Sequence, residues 1–281
     1  YLLLAVPMIL QNAITNLVSF LDNIMVGQLG TEQMSGVAIV NQLIFVYNLA
    51  IFGAVSAASI FGAQYFGNGD HRGHMHSFRF KLYATLLVSG LTMLLLLTKG
   101  SDLISLYLTD TAGNGATDVA LQYGKQYLVI MLVGLVPFAV NQAYATNIKE
   151  TGQTLVPMLA SFVAVGTNAV LDYLMIFGVG PFPELGVTGA ALATVIARYV
   201  EAVIVVLWAH RNREKNRYLE GAYRGFGIPM SELKTILIKG LPLMFNEVLW
   251  AAGMTTVTQC YSVRGLDVVA GLNIATTITN L

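Results

Sequence analysis

The sequence predicts an all-α integral membrane protein, built as a six-helix lobe plus the start of a second, repeat-related lobe. Three observations carry that reading. First, 56% of the 281 residues are hydrophobic and only 11% are charged, against roughly 25% charged in a soluble domain, so too little polar surface remains to face water. Second, apolar segments recur along the whole length at the roughly 20-residue scale that crosses a bilayer. Third, the chain begins again: "VPMILQNAITN" from Val6 resembles "LPLMFNEVLWA" from Leu241, with Pro7 over Pro242 and Asn12 over Glu247, and "VAIVNQL" (37–43) resembles "VAGLNIA" (269–275).

Taken in order, spans are expected at about 2–27, 36–66, 79–98, 121–146, 155–179, 187–209 and 235–261, with an eighth beginning near 268. The breaks between them carry turn chemistry: "QLGTEQMSG", "FGNGDHRGHMH", "LTDTAGNGATD", "KETGQT" and "GVGPFPELG". Within the spans the many Gly, Ala, Ser and Thr residues suit close helix packing in lipid. Arg72, Arg79 and Lys81 follow span two, Lys149 follows span four, and Arg211, Arg213, Lys215, Arg217, Arg224, Lys234 and Lys239 follow span six. The alternate loops hold only Lys99, Lys125 and Arg264. By the positive-inside rule the N-terminus and the even-numbered loops are expected in the cytoplasm of a multi-pass inner (plasma) membrane protein. Asp22 and Asp172 then both fall in the outer part of their spans and can share one site.

The repeat divides the chain into an N-terminal lobe (1–209), a polar interlobe linker (210–234, cytoplasmic) and the start of a C-terminal lobe (235–281). An even number of spans per unit keeps both units in one orientation, related by an axis along the membrane normal. The expectation is a fragment of a protein of about twelve spans, with an incomplete N-terminus since the chain lacks a starting Met, and no cleavable signal peptide because it also lacks a basic leader.

Several function classes fall away. Net charge is zero, so nothing points to nucleic acid. The single Cys260 excludes an internal disulfide and a cysteine metal cage. No Ser-His-Asp constellation, HExxH or P-loop is present, which disfavours an enzyme or an ATP-driven pump, and no cofactor motif stands out. His71, His74 and His76 form a tract, read as a solvated basic turn. "GVGPFP" offers a G-x-G without a surrounding βαβ unit.

A carboxylate near the bilayer core costs at least a few kcal/mol and is a functional-site candidate. The candidates are Asp22, Asp172, Glu247 and the pair Arg198/Glu201. Asn168 lies four residues before Asp172, on the same helix face. Desolvation disfavours a charged carboxylate, so Asp172 can load a proton or a sodium ion; the alternative is a structural hydrogen-bond centre. Arg198 and Glu201, three apart, are expected to neutralise each other, and Glu247 is a candidate whose alternative is to face water.

At these residues the chain resembles the multidrug and toxic compound extrusion (MATE) family. "PMILQNAITNLVSFLDNIMVGQLG", "SIFGAQYFGNGD", "KETGQTLVPM", "NAVLDYLMIFGVG…ELGVTGAALAT" and "KGLPLMFNEVLW" carry the resemblance in order. It implies twelve helices in two lobes around a central cavity. The implied activity is export of cationic or amphipathic small molecules in exchange for H+ or Na+, by a membrane-embedded monomer when full length, with no cofactor beyond the coupling ion. The family's first-lobe ion site falls on Asp22, Asn168, Asp172 and Thr194, with Tyr127 supplying a hydroxyl from span four. Pro7 matches a helix-bending proline, and Glu247 the second-lobe carboxylate of other branches. The turn "GVGPFPELG" looks longer than in other members, which bears on the depth of Thr194. Two rivals are a lipid-linked oligosaccharide flippase of the same superfamily, which calls for several cavity cations, and a seven-span receptor, which gives no reason for the repeat.

Overall fold

A computed structural model describes residues 10–11, 13–14, 16, 22–108, 116–224, 227–264, 268–272 and 275. Among them the ordered elements are helices. The label α1 is used for the described helical residues 10–11, 13–14, 16 and 22–27. It is followed by α2 (Thr31–Gly67), α3 (His71–Ser105), α4 (Ala116–Val133), α5 (Leu135–Glu150), α6 (Leu155–Ile176), α7 (Val187–Arg211), a 3-10 turn (Arg217–Leu219) and α8 (Met230–Ser262). Residues 268–272 are helical again, where the eighth span was expected. By length and composition α2, α3, α6 and α7 can each cross a membrane, and α4 with α5 can do so as a bent pair.

Span four is where the structure departs most from the sequence reading. Instead of one helix over 121–146, α4 and α5 meet at Gly134 with a 45° bend. The cause is Pro137. It has no N–H for the Val133 carbonyl, and its ring would press on that carbonyl in a continuous helix. The carbonyls around the break take side chains from neighbouring helices. Tyr47 on α2 donates to Leu135 O at 2.8 Å, Arg198 Nη1 donates to Gly134 O at 3.4 Å, and the Tyr199 hydroxyl stands 3.5 Å from Val133 O.

Small residues set the helix spacing. Gly36 on α2 lies against the backbone of Ala120 and Gly124 on α4, so a Cβ there would collide with the Ala120 carbonyl. Gly189 near the start of α7 faces Met175 O at the end of α6, where an added Cβ would stand at 2.6 Å. The turn between α6 and α7 folds back on itself. Leu185 N donates to Met175 O at 2.9 Å and Gly186 N to Ile176 O at 3.3 Å, with Gly178, Gly180 and Gly186 at positive φ. The turn therefore pins the start of α7 beside α6 and leaves Thr194 within reach of Asn168.

The basic end of the bundle brings one correction and one addition. The His tract is not a solvated turn: α3 begins at His71, capped by Asp70, whose Oδ1 accepts from Arg72 N and Gly73 N at 3.1 and 2.9 Å. This cap is strong enough to start the helix eight residues before the expected span. His74 and His76 are consequently turned inward and buried, paired with Glu150 at 3.2 Å and Glu232 at 2.8 Å. The polar stretch after α7 is not simply hydrated either. Tyr218, Leu219 and Ala222 form a buried cluster with Phe78, Tyr144 and Ile148. Arg79 staples the stretch to α3 through three carbonyls: Nε to Ala222 O at 2.8 Å, Nη2 to Gly221 O at 2.6 Å and Nη1 to Gly227 O at 2.9 Å. Burial, together with the Glu150 charge, pushes the Tyr218 hydroxyl above its ordinary pKa.

Candidate functional site

Asp172 lies near the far end of α6, 1% exposed, and neither carboxylate oxygen has a hydrogen-bond partner among the described residues. Asp22 on α1 lies within electrostatic reach of it, and its Oδ1 also has no such partner. Two carboxylates placed this way are costly if both are charged and unpaired. The arrangement fits a group that is neutral or that faces a bound cation.

A cavity of about 430 Å³ opens beside the pair. Asp22, Asn168, Thr194 and Tyr127 all line it, on four different helices, while Asp172 is buried behind Asn168. Asn168 sits close enough to act on the Asp172 carboxylate, but its amide donates to Thr194 Oγ1 at 3.4 Å. Tyr127, 1% exposed on α4, is in reach of Thr194 and donates to Asn41 Oδ1 at 3.3 Å. The five residues expected from the sequence thus converge. Carboxylate, amide and hydroxyl oxygens make up the set, as suits a hard cation or a proton. Pro7 lies outside the described residues. Glu247 falls within α8, but its side chain is likewise outside them.

Other lining residues were missed. Asn41 and Asn48 lie two helical turns apart on α2 with Phe45 between them, and all three face the cavity. Their seven-residue spacing in an otherwise apolar span is the signal that marks them. Arg198 is a second revision. Among the described residues it makes no ion pair with Glu201 within 4.0 Å. Its guanidinium instead lies 5.1 Å from the Phe138 ring centre and binds the Gly134 carbonyl. Glu201 takes the Ser161 hydroxyl, which in turn accepts from Gln11 Nε2 at 2.6 Å. At the break in span four Arg198 meets the Phe138 ring and the Gly134 carbonyl, which also accepts from Phe138 N at 3.3 Å.

The fold and this chain's sequence both have known counterparts. The chain is 27% identical over 280 residues to a probable multidrug resistance protein NorM of Thermotoga maritima, covering 99% of this chain and 58% of that one. It is 30% identical over 220 residues to a NorM of Rhizobium meliloti, covering 77% and 45%. The chain thus spans less than two thirds of the length of these relatives. An inward-facing multidrug resistance MATE family transporter of the MOP superfamily matches with a TM-score of 0.78 at 23% identity, over 96% of this chain and 61% of that one. The outward-facing form matches with a TM-score of 0.77 at 22% identity, over 99% and 63%. At those identities the structures speak for the fold. The family model described as MatE matches residues 7–174, well over half of the sequence, and the chain belongs to the multidrug and toxic compound extrusion (MATE) family.

Proposed function

We propose that this chain forms the first lobe, linker and opening of the second lobe (1–209, 210–234 and 235–281) of a secondary active antiporter. That antiporter exports cationic or amphipathic compounds from the cytoplasm in exchange for H+ or Na+. One observation supports the reading: a fully buried Asp172, its oxygens without a well-formed hydrogen bond among the described residues, facing Asp22 beside a cavity that Asn168, Thr194 and Tyr127 help to line. A structural hydrogen-bond centre would show the opposite, with its oxygens satisfied by neighbouring donors. In this reading the carboxylate pair holds the coupling ion in one conformation and gives it up in the other. It shifts the equilibrium only through that difference in affinity.

The Lys/Arg asymmetry supports placing the N-terminus and the stretch around 67–81 in the cytoplasm, with 99–120 outside. Glu247 is kept as a cation ligand of the second lobe, and the membrane-embedded protein works as a monomer. The test is Asp172→Asn in the complete protein, which keeps shape but removes the titrating group. Coupled export should be lost while membrane insertion is retained. Asp22→Asn should behave alike, and the double variant should be little worse than either, as for residues acting as a unit. Export by Asp172→Asn at the original rate, with unchanged dependence on pH and sodium, would sink the assignment.

A further inference from the structure

A second concavity, of about 780 Å³, lies at the opposite, basic end of the bundle, far from the carboxylate pair. Three separate stretches build it: the first turns of α3 give His71, Arg72 and Arg79, the 3-10 turn gives Arg217, and the stretch before α8 gives Arg224. Glu220 is the one carboxylate among its lining residues. Arg79 is spent on the three linker carbonyls. Arg72, Arg217 and Arg224 are exposed, and among the described residues none has a carboxylate within 4.0 Å. Arg217 Nη1 instead stands 3.5 Å from His71 Nε2, another cationic group when protonated.

We propose that this groove binds a phosphate-bearing anion. Unpaired like charges gathered in one concavity repel each other, and three planar guanidinium forks match the several oxygens of a phosphate. Scattered positive residues that merely set membrane orientation have no need to converge from three segments. The position favours the headgroup of an anionic phospholipid as the source. Ile228 and Pro229 give the groove an apolar margin, and His71 and Arg72 open α3, a helix long and apolar enough to cross a membrane. Clustered arginines directly next to a membrane helix on the cytoplasmic side attract anionic lipid. A bound phosphate bridges α3 to the 217–229 stretch and so reinforces the staple made by Arg79.

The test uses the complete protein in nanodiscs and a triple variant, Arg72→Gln/Arg217→Gln/Arg224→Gln. All three side chains are exposed, so the fold does not depend on them. In the first arm, lipid retained through native mass spectrometry is compared for phosphatidylglycerol and phosphatidylcholine. The unmodified protein should prefer phosphatidylglycerol, and the triple variant should lose at least about tenfold of that preference. In the second arm, pyrophosphate is titrated in phosphatidylcholine nanodiscs. Binding there that the triple variant loses supports the groove with a soluble anion as its source. A control variant, Arg211→Gln/Lys215→Gln/Lys234→Gln, removes the same charge outside the groove and should match the unmodified protein. Identical behaviour of the unmodified protein and the triple variant in both arms overturns the proposal, and so does an equal loss in the control.

Discussion

Replacing Arg79 should release the 213–229 stretch from the bundle without touching the membrane core. Arg79 is 7% exposed, and its guanidinium donates to Ala222 O, Gly221 O and Gly227 O at 2.8, 2.6 and 2.9 Å. A hydrogen bond to a charged group contributes about 1.5–3 kcal/mol net. Even at the lower end, three of them amount to about 4.5 kcal/mol, or roughly a thousandfold in the opening equilibrium. Arg79→Met keeps the apolar stem and deletes all three donors, whereas Arg79→Lys can reach only part of the set. Hydrogen exchange of peptides covering 214–224 reads the opening directly, because the Leu219 and Ala222 amides are bonded only within the docked stretch, to Asn216 O and Leu219 O. Arg79→Met should accelerate exchange between about tenfold and a thousandfold, the ceiling being reached when the stretch is mostly open. Arg79→Lys should fall between. Acceleration below about threefold in Arg79→Met means that Tyr218 and its aromatic neighbours hold the stretch alone, and the staple is then not what docks it.

Two further outcomes concern the packing of the bundle. Lys81 is fully buried and pairs with Glu150, Asn147 and, through Glu150, with His74. Either Lys81→Met or Glu150→Gln should cost about 3–5 kcal/mol, because each strands a buried partner. The double variant should recover most of that in thermal unfolding of the reconstituted protein; a double variant as unstable as the sum of the singles would show that the pair is not coupled. Gly36→Val should lower stability by about 1–3 kcal/mol by forcing α2 from α4. Gly90→Ala, which meets nothing within 4 Å, should leave the melting temperature unchanged.

The candidate site was legible in the sequence because charge is scarce there. In a span of hydrocarbon residues a single Asp22 or Asp172 stands out, and the four-residue step from Asn168 to Asp172 fixes their common face before any coordinates are known. Thr194 and Tyr127 needed the family resemblance, since a lone Thr or Tyr in a membrane helix has many uses. The basic end was misread for the opposite reason. There polar residues are plentiful, and "GNGDHRGHMH" supports a turn as readily as a capped helix start. Only the pairing of His74 with Glu150, 76 positions apart, decides that the tract faces inward. Long-range pairs of this kind leave no local pattern. The docked stretch after α7 was hidden likewise: its aromatic Tyr218 and Tyr223 stand among seven charged residues between 211 and 224, and composition alone favours water.

The break in span four shows how one residue ties the two readings together. Pro137 was visible in the sequence, yet span four was expected as one helix over 121–146; its missing N–H puts the fault at Val133. What it does for the site follows only from the geometry. Tyr127 precedes the fault and Phe138 follows it, so the bend sets the angle between the cavity's hydroxyl wall and its aromatic wall. Arg198 also reaches the Gly134 carbonyl and the Phe138 ring at this bend. A cation held there balances part of the cavity's negative charge without occupying the carboxylates. That leaves Asp22 and Asp172 unpaired with any fixed positive side chain among the described residues. A permanent partner would have locked them in the charged state. On the proposed reading, an exchangeable ion can act on this pair because Arg198 holds the Gly134 carbonyl and the Phe138 ring instead.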